Sequence, residues 1–258
     1  MKRQEMVNTV FTNIANEWNN KGKYIQKCIG MKNAFKYEYR DWMKNGARVL
    51  DVGCGTGKNI LRINSEYKDC NLIGIDGSSK MIEIANSNKK KSDNNVEFIN
   101  QTFESFTINL KFDLIIFNYV LHHVKDISET IEKACDMLSE NGVIIITIPG
   151  KEYLKETFCY SDKNREDLLG RISKEYIEEI FKGKNKISQV SYSSSIFFMK
   201  FNSYEEYILY LKSIGSYQKI MNYTSKKWPR ELEWLVFNSF NNSKYITGHY
   251  EKYVYKKM

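Results

Sequence analysis

Three glycines at alternate positions, Gly53, Gly55 and Gly57, follow an acid that closes a short apolar run, Val49-Leu50-Asp51-Val52. Glycine lets a backbone approach a ligand closely and take positive φ in a tight turn. A helix starting just after such a turn presents N–H groups with no partner in the chain. The pattern therefore predicts a cradle for a small organic ligand. The dinucleotide fingerprint is G-x-G-x-x-G, with pyrophosphate on the helix N-terminus. Here the third glycine comes one residue early and Lys58-Asn59 follow, so NAD is the less favoured ligand. No Gly-Lys-Ser/Thr follows, which excludes the phosphate-binding loop of nucleoside triphosphatases. A second acid, Asp76, ends the next apolar run 25 positions after Asp51. A carboxylate there can accept two hydrogen bonds from a ribose diol.

A histidine pair, His122-His123, follows a third apolar run and Asn118-Tyr119. Neutral imidazole suits proton removal near neutral pH. Successive residues on a helix point about 100° apart, so one ring is expected to face a site and the other to pack or cap. His123 is the candidate base. A transfer governed by in-line alignment needs no base at all. The five cysteines, Cys28, Cys54, Cys70, Cys135 and Cys159, form no C-x-x-C pair. Their scatter fits a reducing compartment better than a disulfide framework, and their spacing is not that of zinc ligands. No metal is expected.

The elements that must position these residues alternate between buried strands and helices. Strands are expected at 48–52, 72–76, 112–117 and 143–148, with a weaker one at 96–99. Each is an apolar run closed by turn residues. Phe11, Ile14, Ala15 and Trp18 mark one face of a helix over 4–20, and a second helical stretch ends near Trp42. A helix over 128–140 carries Ile131, Ala134, Cys135 and Leu138 on one face, with Gly142 past its end. Alternation of this kind gives right-handed βαβ crossovers and a mostly parallel sheet. After Pro149 the alternation stops. Partly helical sequence over 151–172, a capped helix from Ser173, a strand at 187–200, helices at 203–215 and 227–240 and a Tyr-rich strand at 245–256 are expected. Two antiparallel closing strands with helices inserted between them would result.

VLDVGCGTG (49–57), IDGSSKMIEIA (75–85), FDLIIFNYVLHHV (112–124) and LSENGVIIITIPG (138–150) together resemble the class I S-adenosylmethionine-dependent methyltransferases over about residues 45–150. The resemblance implies a doubly wound α/β fold with a seven-stranded sheet whose last strand is antiparallel. It also implies that Gly53, Cys54, Gly55 and Gly57 form the cofactor loop. Asp51 would organise the methionine end, Asp76 with Gly77 the ribose, Met81 the adenine face, and Asn118 the methionine side through its backbone. Many relatives place an Asp after the third strand to contact the adenine amino group. Here Thr102 stands there, so Thr102 or the backbone of Phe103 is expected to take that part. The cofactor would be S-adenosylmethionine, leaving as S-adenosylhomocysteine. The C-terminal part more weakly resembles carboxyl O-methyltransferases acting on malonyl-carrier protein or trans-aconitate, whose helices between the last two strands cover the substrate. Leu121-His122-His123 departs from the aromatic-Gln-Trp expected of the carrier-protein enzymes.

Several classes recede. No [Asn/Asp]-Pro-Pro-[Tyr/Phe] follows the fourth strand and there is no Pro-Cys nucleophile, against amino-methylation of adenine or glutamine amides and C5-methylation of cytosine. The net charge is +8, carried mostly by lysines spread along the 258 residues. That distribution favours coding bias over a nucleic-acid face and leaves an acidic carrier protein open as a partner. No apolar stretch reaches the ~20 residues of a membrane helix, and the N-terminus lacks a secretory pattern, so a cytoplasmic protein is expected. Aromatic residues make up 14% of the chain. Phe11, Trp18, Tyr119, Tyr153, Phe158 and Tyr160 are candidates to wall an acceptor pocket, where rings can hold a cationic amine. One domain is expected, with a helical cap (1–44), a cofactor core (45–150) and a lid with closing strands (151–258). The expected activity is methyl transfer to nitrogen or oxygen of a small molecule. The alternatives are a carboxyl O-methyltransferase on a free or carrier-bound acid, served by Arg165 or Arg171, an RNA or protein methyltransferase, and a non-enzymatic cofactor-binding module.

Overall fold

The computed structural model describes residues 3–20, 27–29, 39–158, 172–184, 186–216 and 245–258. Five strands run parallel: β2 (Arg48–Val52), β3 (Asn71–Asp76), β4 (Val96–Asn100), β5 (Phe112–Asn118) and β6 (Leu138–Pro149). β8 (Tyr245–Lys257) inserts antiparallel between β6 and β7 (Ile187–Lys200). These are the seven expected strands, the last antiparallel. An eighth, β1 (Lys27–Ile29), pairs antiparallel with the end of β7, giving the order β1-β7-β8-β6-β5-β2-β3-β4. A three-residue strand carries no periodicity of its own, so the sequence could not announce it.

Side chains alternate across the sheet and build two cores. Leu50, Val52, Ile73 and Ile75 face Ile131 and Ala134 of α5 (Ile127–Met137) and Ile177 of α7 (Lys174–Lys182). Val49, Leu72 and Ile116 face Ile60 and Ile63 of α3 (Lys58–Glu66) and Ile82 and Ala85 of α4 (Ser79–Asn88). Each fully buried Ile or Leu contributes about 1.5–3 kcal/mol, and both faces need covering because the parallel strands are apolar on both. β2 sits between β3 and β5, where crossovers depart to opposite sides, and ligands bind beyond strand ends at such a switch point.

Helix ends follow local chemistry. Ser78, Asp126, Ser173 and Ser203 each accept from a backbone N–H of the first turn of α4, α5, α7 and α8 (Tyr204–Ser213) respectively. Other boundaries differ from expectation. The N-terminal helix breaks at Ile14 into α1 (Arg3–Asn13) and α2 (Ala15–Asn20). The described end of the stretch near Trp42 is a 3-10 turn, Arg40–Trp42, and residues 30–38 before it lie outside the described residues. α5 ends at Met137 because Leu138 pairs with Phe112 and begins β6. The left-handed residue after it is Asn141 at φ 62°, not Gly142. One turn, α6 (Lys155–Phe158), follows β6. The helix expected over 227–240 lies outside the described residues.

Candidate functional site

β2 delivers Asp51 and runs into a loop whose three glycines all have positive φ: 68° at Gly53, 55° at Gly55 and 78° at Gly57. At Gly53 the demand is steric too, since a Cβ would lie 2.5 Å from Cγ2 of Val120. Gly57 is the N-cap of α3, with no side-chain cap. The loop is braced by the Cys54 amide donating to the Ile75 carbonyl at 2.9 Å and by Asn88 Nδ2 donating to the Thr56 carbonyl at 3.1 Å. Cys54 is buried, and burial with the nearby Asp51 and Asp76 charges pushes its thiol well up.

Two carboxylates flank this loop. Asp76, at the end of β3, accepts from the Gly55 amide through Oδ2 at 2.9 Å and from the Ser78 amide through Oδ1 at 2.8 Å. Each oxygen keeps lone-pair capacity for a further donor. Burial raises its pKa and the two amides oppose the rise. Asp51 is 0% exposed, and neither of its oxygens has a hydrogen-bond partner. Burial pushes it up to about 7; the approach of Asn59, short of hydrogen-bond geometry, opposes this, and the Asp76 charge adds to it. A buried carboxylate without donors is rare and calls for a reason.

The remaining residues lie around the loop as follows. A Cβ on Gly77 would meet Oδ1 of Asn8 at 2.5 Å, and Thr12 Oγ1 bonds Ser78 Oγ at 2.9 Å, so α1 lies across the start of α4. Met81, 1% exposed, is the third residue of α4. Thr102 Oγ1 pairs with Ser105 Oγ at 3.2 Å. The Phe103 ring belongs to the core against Phe117, and its carbonyl accepts from Lys133 Nζ at 2.6 Å. Asn118 ends β5, and Tyr119 turns the chain in a left-handed conformation at φ 57°, its amide donating to the Thr147 carbonyl at 2.9 Å. Such a conformation costs a bulky residue about 1–2 kcal/mol and clusters at functional sites.

The histidines stand on a 3-10 turn, Leu121–His123. Contrary to expectation their rings do not diverge: the centroids are 3.9 Å apart. The side chains fold toward each other although their Cβ directions differ. His123 meets the Phe11 ring edge at 5.0 Å, and Phe11 meets Trp18 at 5.4 Å. Trp18 Nε1 comes within 3.5 Å of the point a Gly55 Cβ would occupy, and Lys58 Nζ donates to the Asn19 carbonyl at 2.5 Å. α1 and α2 thus bring Phe11 and Trp18 over the loop. Tyr153 lies on the turn after β6, its hydroxyl 3.2 Å from that of Tyr210 on α8. Tyr160, Arg165 and Arg171 lie outside the described residues, as does the side chain of Phe158.

Sequence reasoning missed four residues around this region. Asn8 and Thr12 share the helical face that reaches Gly77 and Ser78, a polar stripe visible only once the partner is known. Tyr210 reads as an apolar stripe residue of α8. His249, 2% exposed on β8, accepts from the Glu152 amide through Nδ1 at 2.9 Å and bonds Ser194 Oγ through Nε2 at 2.7 Å, so it is neutral and ties the turn after β6 to the closing strands. A cleft of about 490 Å³ between α5 and residues 108–111 sits at the start of β5, the end opposite Asn118. Among the described residues no cluster of three His, Cys, Asp or Glu is gathered as for a metal ion, and no helix is long and apolar enough to cross a membrane.

Residues 43–186 match a family described as a methyltransferase domain. The chain is 30% identical over 163 residues to the ubiquinone biosynthesis O-methyltransferase of Pelagibacter ubique, covering 58% of this chain and 66% of that one. It spans 39% and 43% of the length of two further curated relatives. Among solved structures, the [4+2]-cyclase SpnF superposes with TM-score 0.66 at 16% identity, covering 97% of this chain and 94% of that one. Coclaurine N-methyltransferase bound to N-methylheliamine and S-adenosylhomocysteine superposes with TM-score 0.56 at 17% identity, covering 90% and 77%. At such identities the structural likeness speaks for the fold.

Proposed function

The chain belongs to the class I S-adenosylmethionine-dependent methyltransferases, and from that premise we propose that it transfers a methyl group to a nitrogen or oxygen of a small-molecule acceptor. The observation that carries the reading is the pair of acids at the glycine loop. Asp51 is fully buried with both oxygens unpartnered, and Asp76 adds a second carboxylate. Among the described residues no lysine or arginine acts electrostatically on either acid. A site with this charge deficit fits a ligand bearing an ammonium and a sulfonium, and repels a pyrophosphate. When bound, S-adenosylmethionine supplies a methyl group activated by a sulfonium charge.

This chain's own residues would do the rest. Asp51 accepts from the ammonium end. Asp76, held rigid by two backbone amides, accepts from the ribose hydroxyls. Gly53, Cys54, Gly55, Gly57 and Gly77 keep the loop backbone close, Met81 packs on the adenine, and Thr102 or the Phe103 amide meets its edge. The Asn118 backbone lines the methionine side. His123, with His122 against it, accepts the acceptor's proton where one must leave. Phe11 and Trp18 from the N-terminal helices, Tyr119, Tyr153 and the lid over residues 151–258 wall the acceptor and exclude water, which favours a reaction that loses charge. A cytoplasmic setting accords with the unpaired cysteines Cys28, Cys54, Cys70 and Cys135.

Calorimetric titration with S-adenosylmethionine, S-adenosylhomocysteine and NAD tests the reading on wild type and Asp76→Ala. Micromolar binding of the first two, lost in the variant, is expected. Binding of NAD instead, or of none, would sink it.

A further inference from the structure

β7 is an edge strand over most of its length. β8 pairs along one side of it, while β1 covers the other side only at residues 198–200. Among the described residues no strand pairs with 191–197 on that second side. Natural proteins guard an open edge of this kind with charge, proline or a very short strand. Residues 187–199 contain no charged residue and no proline, in a chain whose residues are 27% charged. One face of the strand carries Tyr192 at 36% exposure, Ile196 at 46% and Phe198 at 42%, with exposed Ser194 between them. Lys174 Nζ lies 4.4 Å from the centre of the Tyr192 ring and is matched by Glu178 Oε1 at 3.6 Å. The open segment is bounded at both ends. Val190 is an extra residue against β8, a bulge that bends the strand, and from Phe198 onward β1 takes the edge. The midpoint between these limits is Ser194.

We infer that this edge is the docking surface for a second copy of the chain, the two β7 strands pairing antiparallel about a two-fold axis at Ser194. That register sets Tyr192 of each copy opposite Ile196 of the other, an aromatic and β-branched cross-strand pair made twice. The small Ser193, Ser194 and Ser195 fill the middle. Val190 then falls opposite Phe198, so each strand bends away at its bulge where the β1 of the other copy takes the edge. A centre nearer Ile196 would drive each strand into β1, and one nearer Tyr192 would draw the bulge into the ladder. Two copies of a chain with net charge +8 repel each other, and this neutral stretch lets them meet with no charge between the strands. A two-fold contact also closes on itself and leaves 191–197 no open edge. Ser194 Oγ bonds His249 Nε2 at 2.7 Å and His249 Nδ1 accepts from the Glu152 amide at 2.9 Å, so the axis reaches the turn after β6 through His249. The inference stands apart from the methyl-transfer reading, since no residue of the cofactor loop takes part.

Sedimentation velocity on the full chain, from low to high micromolar concentration, tests the contact. A dimer is expected. Ile196→Lys should raise its dissociation constant at least ~10-fold, because the two-fold axis applies each substitution twice. Residues directly opposite in an antiparallel pair have Cα atoms about 4.5–5.5 Å apart, within the roughly 4.4–6.8 Å that a disulfide spans. In a Cys28→Ser background, which removes an exposed thiol, Ser194→Cys should therefore cross-link into a covalent dimer on mild oxidation with diamide, read on a non-reducing gel. Ser188→Cys, exposed on the same strand but far from its own counterpart across the axis, should not. The cross-link serves if Ile196→Lys misfolds. A wild type that stays monomeric at every concentration overturns the inference. So does a dimer that a folded Ile196→Lys variant leaves intact, or cross-linking by Ser194→Cys no faster than by Ser188→Cys.

Discussion

Replacing Asp51 with Asn should stabilise the free protein and weaken the cofactor, with both effects growing as pH rises. The folded carboxyl is pushed up to about 7 from an ordinary 3.8 because it is buried without donors. A carboxylate whose folded pKa is raised destabilises the fold when ionised. Below about pH 4 both states are protonated and the cost is nil. Between about 4 and 7 the unfolded chain ionises first and the cost grows; above 7 it is constant. At about 1.4 kcal/mol per pH unit the ceiling is about 4 kcal/mol. Asparagine is isosteric and neutral at every pH. Asp51→Asn should therefore leave the melting temperature unchanged near pH 4 and raise it above pH 7. The rise is at most ~8–16 °C, at about 2–4 °C per kcal/mol for a chain of this size.

Cofactor affinity should move the opposite way. In the proposed role of Asp51 the ammonium binds the ionised carboxylate, so wild-type affinity for S-adenosylhomocysteine should rise with pH up to about 7 and then level. A charged hydrogen bond is worth about 1.5–3 kcal/mol, so the variant should bind roughly 10- to 150-fold more weakly above pH 7. Thermal melts and titrations over pH 4–8 read both effects. A variant no more stable than wild type at pH 8, or equal in affinity, would show that Asp51 is matched by a partner within the chain and refute the argument.

Three further outcomes follow from named contacts. Asp76→Ala releases the Gly55 and Ser78 amides and removes the proposed ribose acceptor, and S-adenosylhomocysteine affinity should fall at least 100-fold by titration, with Asp76→Asn intermediate. Gly53→Ala sets a Cβ against Val120 at a positive φ and should cost about 1–3 kcal/mol in urea unfolding, partly restored by Val120→Ala, while full stability would contradict the loop geometry. If His123 takes the acceptor's proton, His123→Gln should lower kcat about 100-fold and flatten its acid limb, with His122→Gln much milder; equal effects would assign the proton to the pair.

The parts legible in the sequence are those whose information is contiguous. Residues 49–57 contain a strand, an acid, three glycines and the start of a helix, and the backbone of that one unit forms the loop. β3, β5 and β6 were readable for the same reason, as apolar runs closed by turns. Boundaries set by a distant partner were not. Leu138 continues the apolar stripe of α5 and is strand only because Phe112 pairs with it. Nothing around Ile14 marks the break between α1 and α2. The divergence expected of His122 and His123 follows from helical geometry at Cβ, and rotamers set by packing overrode it.

The acceptor side is legible only as a set of candidate aromatics, for a more general reason. A nucleoside and amino-acid ligand can be gripped by backbone amides and one acid per strand end, so one local pattern serves many chains. An acceptor pocket has to match a particular molecule, and its proposed walls, among them Phe11, Tyr119 and Tyr153, stand on segments far apart in the chain. Each of these residues has an adequate local excuse, as helix stripe, strand end or turn. What the structure adds is local: the Tyr153 hydroxyl 3.2 Å from that of Tyr210, and Tyr119 held left-handed where glycine would be cheaper. Local strain costs stability without improving the core, so the left-handed Tyr119, more than the aromatic content, marks where to look for the acceptor.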